Sequence, residues 1–478
     1  MSDFLSNFVP ILNLLWPINL IFIIVVILSE RKNTVYTIFW IFLIILFPFV
    51  GFVMYWFFGL SFRKRRRAEN IYIIKFLKSV LTIDLSNSAI LQKWRTLITY
   101  LEMSSKNSIC LKNKIDVFFE GEDFISSVLK DIKNAEKRIC MEYYIFEFDE
   151  TGKRILEALA ERAKNGVEVL VIVDGMNAPN LAMKRFCKEN NIQLYVFFES
   201  ILHSINLRAN YRNHRKLTII DSEIAYIGGM NISDDYVSKG KLGYWKDNAN
   251  RVTGEVVMEL EKEFYFSLGI ILKKVIDYEP CSPKLDYTFS EDIEENKIYA
   301  QIVSSGPNYE FRTLRDSYLK LIQGANKRIL IQTPYFVPDD SLLDALKVAI
   351  ISGVKVMIML PYISDQFIVG IAAKYYVKPM LDLGAEVYRY RKGFIHSKIM
   401  VIDDEVCTFG TGNFDNRSMY LNFEINLNVY DENISKKFAD NFFEDLRECE
   451  RYTIENYKDR SIIKKFLEQL FRLLSPIL

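Results

Sequence analysis

Residues 214–231 read HRKLTIIDSEIAYIGGMN, and residues 396–413 read HSKIMVIDDEVCTFGTGN. Each stretch opens on H-x-K-x-x-x-x-D: His214, Lys216 and Asp221 in the first, His396, Lys398 and Asp403 in the second. Each Asp is followed seven residues later by a glycine (Gly228, Gly410) and ten later by an asparagine (Asn231, Asn413). The chain has three histidines, and two of them stand in this frame. Average composition places Lys and Asp at those offsets from a given His about once in a few hundred. Two occurrences with the same trailing residues mark a duplication. His203 has no such frame and is expected on a loop with no chemical role.

The spacing has chemical content. Residues two apart in an extended segment share a face, so each His points the same way as its Lys. A single H-x-K is ordinarily a satisfied histidine beside a surface lysine; the duplicated, extended pattern argues against that reading. A neutral imidazole attacks phosphorus or moves a proton near neutral pH. An ammonium beside it holds a phosphate oxygen as charge develops. Asn231 and Asn413 supply neutral amide donors for the same oxygens. Two such half-sites facing one phosphate provide one histidine as nucleophile and the other as general acid. The lysines do the cationic work, so no metal and no other cofactor is expected.

The chain around the motifs alternates strands and helices from about Val117. In the first half, residues 138–146 (RICMEYYIF) predict a strand, 152–164 a helix, and 192–198, 216–221 and 223–227 further strands. Residues 167–174 (VEVLVIVD) predict a strand that is nearly all apolar, as one buried on both faces should be. NAEKRI (134–139) matches GANKRI (324–329), and NGVEVLVIV (165–173) matches SGVKVMIML (352–360). Two copies of about 150 residues make an α/β duplication rather than a solenoid. Packed pseudo-symmetrically, the two halves would bring the triplets together.

Sequence length, 478 residues, allows two or three domains. The formal net charge of +1 gives no global basic field for nucleic acid. Residues 8–28 form a 21-residue uncharged run, and residues 34–62 form a second one. A bilayer takes about 20 apolar residues to cross, so the pair predicts an N-terminal transmembrane hairpin. Asn13, Asn19, Pro10 and Pro17 leave a re-entrant first segment as the alternative. A cleaved signal peptide fits less well, because no basic stretch precedes the run and no small-residue cleavage site follows it. Arg63, Lys64, Arg65, Arg66 and Arg67 follow the second run directly. They are expected to set the N-terminus and everything after them on the cytoplasmic side, and the cluster itself would sit against anionic head groups. The six scattered cysteines fit reduced, mostly buried thiols. Residues 461–474 have helical, amphipathic spacing, read either as a helix packed on the domain or as one lying in the membrane interface.

The expected organisation is a membrane hairpin with its basic cluster (1–67), a linker or helical region (68–116), a first half (117–277), a Pro-containing acidic join (278–297), a second half (298–452) and an amphipathic C-terminal helix (453–478).

These residues resemble the phospholipase D superfamily and, within it, the bacterial cardiolipin synthases. The resemblance covers nearly the whole chain. It is carried by PFVGFVMYWFFG (48–59), RNHRKLTIIDSEIAYIGGMNISDDY (212–236), GYWKDNANRVTGEVV (243–257), HSKIMVIDDEVCTFGTGNFDNRS with NFE (396–424), and FLEQLFRLLSPIL (466–478). The resemblance implies two homologous phospholipase D-like α/β/α sandwich halves. It implies His214 as nucleophile toward phosphatidylglycerol and His396 as acid, then base, with a phosphatidyl-histidine intermediate resolved by a second phosphatidylglycerol to give cardiolipin. Phospholipase D or transphosphatidylase activity with water or another alcohol is the alternative. It also implies that Asp247 and Glu424 orient the imidazoles, and that Asp221 and Asp403 hold the local fold. The partners implied are phosphatidylglycerol and anionic membrane lipids rather than nucleic acid, at the bacterial cell membrane. Gly229 and Thr411 stand where many relatives have Ser, and Lys246 follows Trp245 where relatives often carry another residue.

Overall fold

Strands buried on both faces need apolar residues at every position, and this requirement shapes the centre of each half. The computed structural model describes residues 17, 19–28, 34–55, 88–198, 211–240, 242–281, 298–458, 460–472 and 475. Two units are distinguished: residues 1–71 with 200–210, and residues 72–199 with 211–478.

In the larger unit the first half contributes β1 (Cys110–Phe118), β2 (Arg138–Tyr143), β3 (Glu168–Asp174), β4 (Gln193–Phe197), β5 (Lys216–Ile220), β6 (Ile224–Gly228), β7 (Tyr244–Lys246) and β8 (Ala249–Gly254). The second contributes β9 (Ile298–Ser305), β10 (Arg328–Gln332), β11 (Phe336–Val337), β12 (Lys355–Pro361), β13 (Glu386–Tyr390), β14 (Gly393–Ile395), β15 (Ile399–Ile402), β16 (Val406–Gly410), β17 (Phe414–Asp415), β18 (Glu424–Tyr430) and β19 (Cys449–Tyr452). Fifteen of these strands form one mixed sheet in the order β19-β13-β12-β10-β15-β16-β18-β9-β1-β8-β6-β5-β2-β3-β4. Reading outward from and including the central β9–β1 pair, seven strands on each side follow the same order, and β19 extends the second half's edge without a counterpart. That pair is antiparallel, with Cys110 opposite Ala300. The expected pseudo-symmetry is therefore built into one continuous sheet.

Alternating side chains fix the layers. Val169, Val171 and Val173 of β3 enter one core, while Leu170 and Ile172 enter the opposite one. In the second half Val356 and Ile358 of β12 face one core, and Met357 and Met359 the other. One core is shared by both halves and is covered by the helices Val256–Leu272 and Glu432–Asp445. Burial on both faces is what made VEVLVIVD legible. The helix Glu150–Lys164 starts where Asp149 accepts the Gly152 N–H at 2.8 Å. Replacing such a cap by Ala costs about 1 kcal/mol.

The smaller unit is described from residue 17 to 55, with the gaps given above. Its helices include Thr34–Leu46 and Pro48–Met54. Among the described residues no helix is long and apolar enough to cross a membrane. The second hydrophobic run, expected as one span, breaks at Phe47, whose φ of −135° and ψ of 77° leave the helical region. Pro48 is the cause, since the ring disfavours helical geometry in the residue before it. Much of the first run, the cationic cluster 63–67 and His203 lie outside the described residues.

The C-terminal helix, Ile462–Arg472, packs against the helix Phe367–Asp382. Of its residues only Glu468 is buried.

Candidate active site

Each motif runs into a tight hairpin, β5–β6 and β15–β16. At the first turn Asp221 and Ser222 have φ of 53° and 60°; at the second, Asp403 and Asp404 have 55° and 62°. Each turn thus carries two consecutive residues in the left-handed region, between Ile220 and Ile224 in the first and between Ile402 and Val406 in the second. The motif aspartates serve these turns. Asp221 accepts backbone N–H groups from Glu136, Lys137 and Arg138 at 2.8, 2.8 and 2.7 Å. Asp403 accepts those of Asn326, Lys327 and Arg328 at 2.8, 2.7 and 2.9 Å. Each clamps its hairpin to the start of a neighbouring strand, at the end of the hairpin away from the histidines.

The histidines lie at the opposite ends of β5 and β15, and each is held by the other half. His214 Nδ1 lies 2.9 Å from Glu424 Oε2, and the His214 backbone N–H donates to the Phe423 carbonyl at 2.9 Å. His396 Nδ1 lies 2.7 Å from Asp247 Oδ2, and its N–H donates to the Lys246 carbonyl at 2.7 Å. Short parallel pairings carry these contacts: Asn213 with Phe423, and β14 with β7, Ile395 opposite Lys246. With Nδ1–H donating to a carboxylate, Nε2 of each ring keeps its lone pair for chemistry.

Lys216 and Lys398 are buried, and each ammonium donates to the carbonyl of its own motif histidine, at 2.6 Å in the case of Lys216. Burial pushes Lys216 down to about 7 and Lys398 to about 8, against the opposing pull of Glu424 and Asp247. Burial also lowers His214 to about 4. His396 falls well below its ordinary value, through burial and then the charges of Lys398, Lys216 and His214. Both rings are therefore neutral at pH 7, and the two half-sites act on each other.

The carboxylates are not equivalent. Thr411 Oγ1 donates to Glu424 Oε2 at 2.6 Å, and Asn422 Nδ2 donates to Oε1 at 3.1 Å. Burial pushes Glu424 up, but His214, Lys216 and Thr411 outweigh it, and it rests below the usual range. At the equivalent position Gly229 offers no hydroxyl, and a Cβ there would stand 2.1 Å from Asp247 Oδ1. Asp247 keeps one backbone donor, Asn248 N–H at 2.8 Å. Burial pushes it up to about 7 despite Lys398 and that N–H. The Gly229/Thr411 difference, unremarkable as sequence, adds to this inequality, behind the stronger pull of His214 and Lys216 on Glu424.

Asn231 accepts the Ile145 N–H at 3.0 Å and donates to the Tyr236 hydroxyl, so its amide is already engaged. Asn413 Oδ1 is buried without a hydrogen-bond partner among the described residues. Several contributors escaped the sequence reading. Tyr144 stands edge-on to His214 at 4.9 Å, and Trp245 lies 5.3 Å from His396. Lys246 pairs with Asp445 at 3.2 Å, a buried neighbour 199 positions away (445 − 246). Trp245 sits within the quoted GYWKD stretch and could have been flagged there. Asp445 leaves no local signal. Among the described residues no group of three or more His, Cys, Asp and Glu is arranged to hold a metal ion.

This is a phospholipase D-like α/β protein in fold. The crystal structure of a phosphatidylserine synthase from Haemophilus influenzae superposes with a TM-score of 0.60 at 15% identity, covering 81% of this chain and all of that one. Residues 128–264 and 318–446 match the family described as "Cardiolipin synthase, PLD-like domain", and the chain belongs to that family. Residues 18–59 match the "Phospholipase_D-nuclease N-terminal" family. A protein of Clostridium perfringens named cardiolipin synthase is 38% identical, covering 94% of this chain and 95% of its own. The major cardiolipin synthase of Bacillus subtilis is 37% identical, over 98% and 99% respectively.

Proposed function

We propose that the chain is a cardiolipin synthase, a phosphatidyltransferase that moves a phosphatidyl group from one phosphatidylglycerol to another. The observation that carries the reading is the crossed pair of couples, His214 with Glu424 and His396 with Asp247, flanked by two buried lysines. His214 Nε2 attacks phosphorus while His396, protonated beside the incoming diester, gives its proton to the departing glycerol oxygen. The P–O bond to glycerol breaks as the N–P bond forms, leaving a phosphatidyl-histidine. His396 then takes the proton from a hydroxyl of a second phosphatidylglycerol. The new P–O bond forms, the N–P bond breaks, and cardiolipin leaves with His214 restored.

Glu424 stays ionised and so favours the cationic imidazole that nucleophilic attack creates. This supports His214 as the attacking ring. Lys216, Lys398 and Asn413 surround the phosphate oxygens. The choice of a second phosphatidylglycerol rather than water rests on the relatives named cardiolipin synthase, which match nearly end to end. The N-terminal hydrophobic runs would anchor the chain in the bacterial membrane, with the cationic cluster 63–67 setting the larger unit on the cytoplasmic side.

Lipid mass spectrometry of the purified chain with phosphatidylglycerol vesicles tests the reading. Free glycerol and cardiolipin in equal amounts are expected. Phosphatidic acid without cardiolipin would replace it with a phospholipase D.

A further inference from the structure

The C-terminal helix Ile462–Arg472 leaves much of its apolar arc uncovered. Ile462, Ile463, Phe466 and Leu470 are 85, 70, 64 and 44% exposed, while the carboxylate Glu468 is 2% exposed. Glu468 turns inward to Arg460 and the Tyr457 hydroxyl. Leu467 and Phe471 are half-buried beside it. A surface helix ordinarily turns its apolar residues toward the core and its charges outward. Here one stripe at i, i+1, i+4 and i+8 is left facing away from the protein.

The stripe is part of a larger surface. Phe471 meets Phe367 edge-on at 6.4 Å, and Phe367 and Ile363 are themselves exposed. Asp365, between those two, accepts the Tyr335 hydroxyl at 2.7 Å, and its charge acts on Lys398. Beyond the helix, the Ser475 carbonyl accepts from Asn416 Nδ2 at 3.1 Å, three residues past Asn413. The apolar surface therefore stands beside residues that are coupled to the catalytic site, Asp365 through its charge on Lys398 and Ser475 through Asn416. Cations flank the helix: Lys464, Lys465 and Arg472 are exposed, and Arg472 reaches Tyr375 at 2.6 Å.

We propose that this surface, formed by Ile462, Ile463, Phe466 and Leu470 with Phe367 and Ile363, lies in the interface of an anionic bilayer and seats the catalytic site on its lipid substrate. An apolar stripe flanked by lysine and arginine is the pattern of a helix lying in a membrane surface. Its cations reach the head groups while the stripe enters the acyl boundary. Adjacency to the site favours lipid as the occupant, because a substrate whose acyl chains remain in the membrane must reach His214 from that side. This last step rests on the function proposed above.

The test uses the full chain reconstituted in vesicles of phosphatidylglycerol and phosphatidylcholine. A nitroxide on Phe466→Cys, read against the unsubstituted chain, should be more accessible to oxygen than to a water-soluble nickel chelate. In parallel, Ile463→Glu combined with Phe466→Glu should lower turnover of vesicle phosphatidylglycerol by about tenfold or more. It should change turnover of monomeric dihexanoyl-phosphatidylglycerol by less than about twofold, since neither side chain supports the fold from its exposed position. Water-like accessibility at position 466 overturns the proposal, as does an equal loss on both substrates. Dipolar coupling between labels on two copies also overturns it, in favour of a dimer contact. An immersed label on a chain that turns over neither lipid supports the surface while removing the proposed reaction.

Discussion

Replacing Glu424 by Gln removes one negative charge while nearly preserving the shape of the group against His214. The carboxylate oxygen stands 2.9 Å from Nδ1, and the residue is fully buried. Attack on phosphorus makes the imidazole cationic. With charge centres about 4 Å apart and an effective dielectric near 20, that cation gains about 4 kcal/mol from the carboxylate. A neutral amide retains about 1 kcal/mol as an ordinary hydrogen bond. The difference, about 3 kcal/mol, is about 10²-fold in the rate of forming the covalent intermediate. Asp247→Asn should cost less, about tenfold, because a carboxyl pushed up to about 7 is already about half protonated at neutral pH. Rapid-quench measurement of the first turnover of glycerol release reads both, with thermal melting to confirm that each variant is folded. If Glu424→Gln slows that turnover less than about threefold, or if Asp247→Asn proves the more damaging change, the electrostatic distinction between the couples is wrong.

His214→Ala should abolish turnover and leave no lipid adduct by intact mass, while His396→Ala should be crippled yet accumulate the adduct; the reverse pattern would exchange the two roles. The ammonium form of each motif lysine is the one that holds phosphate, and burial brings Lys216 down to about 7 and Lys398 to about 8. Deprotonation removes the needed charge, so kcat/KM should fall as pH rises through about 7 to 8; an alkaline limb found only near the ordinary lysine range, about 10.4, would contradict this. Asp403→Asn should lower stability by about 2–3 kcal/mol in chemical denaturation, through its three backbone hydrogen bonds. The same variant should keep kcat/KM per folded molecule within about threefold; a large loss there would return Asp403 to the chemistry.

The halves and their motifs were legible because duplication repeats a pattern that chance would scarcely produce once. Strands such as Glu168–Asp174 were legible because burial on both faces leaves an unbroken apolar run. Turn chemistry was only half legible. Asp221 and Asp403 belong to the repeated motif, but their partners lie 83 to 85 and 75 to 77 residues away, and proximity in sequence says nothing of them. The crossing of the couples was not legible at all. Asp247 and Glu424 could be nominated by resemblance, yet their pairing across 149 and 210 residues is carried by the short parallel pairings between the halves, β14 with β7 and Asn213 with Phe423. The interruption at Phe47 could have been read from Pro48, since the constraint is local; the length of the apolar run concealed it. The C-terminal helix was legible as amphipathic, but periodicity names a stripe and not the direction it faces.

The crossed couples carry a consequence for descent. A half standing alone would hold a histidine with no acid behind it and an acid with no histidine before it. Both wants would be met by a second copy of the same fragment turned about a two-fold axis. A paired ancestor of that kind must repeat every change twice, once in each copy. Joined in one chain, the halves are released from that constraint, and a hydroxyl can be kept at Thr411 and discarded at Gly229. In a single chain the two histidines are free to take the unequal roles proposed for them.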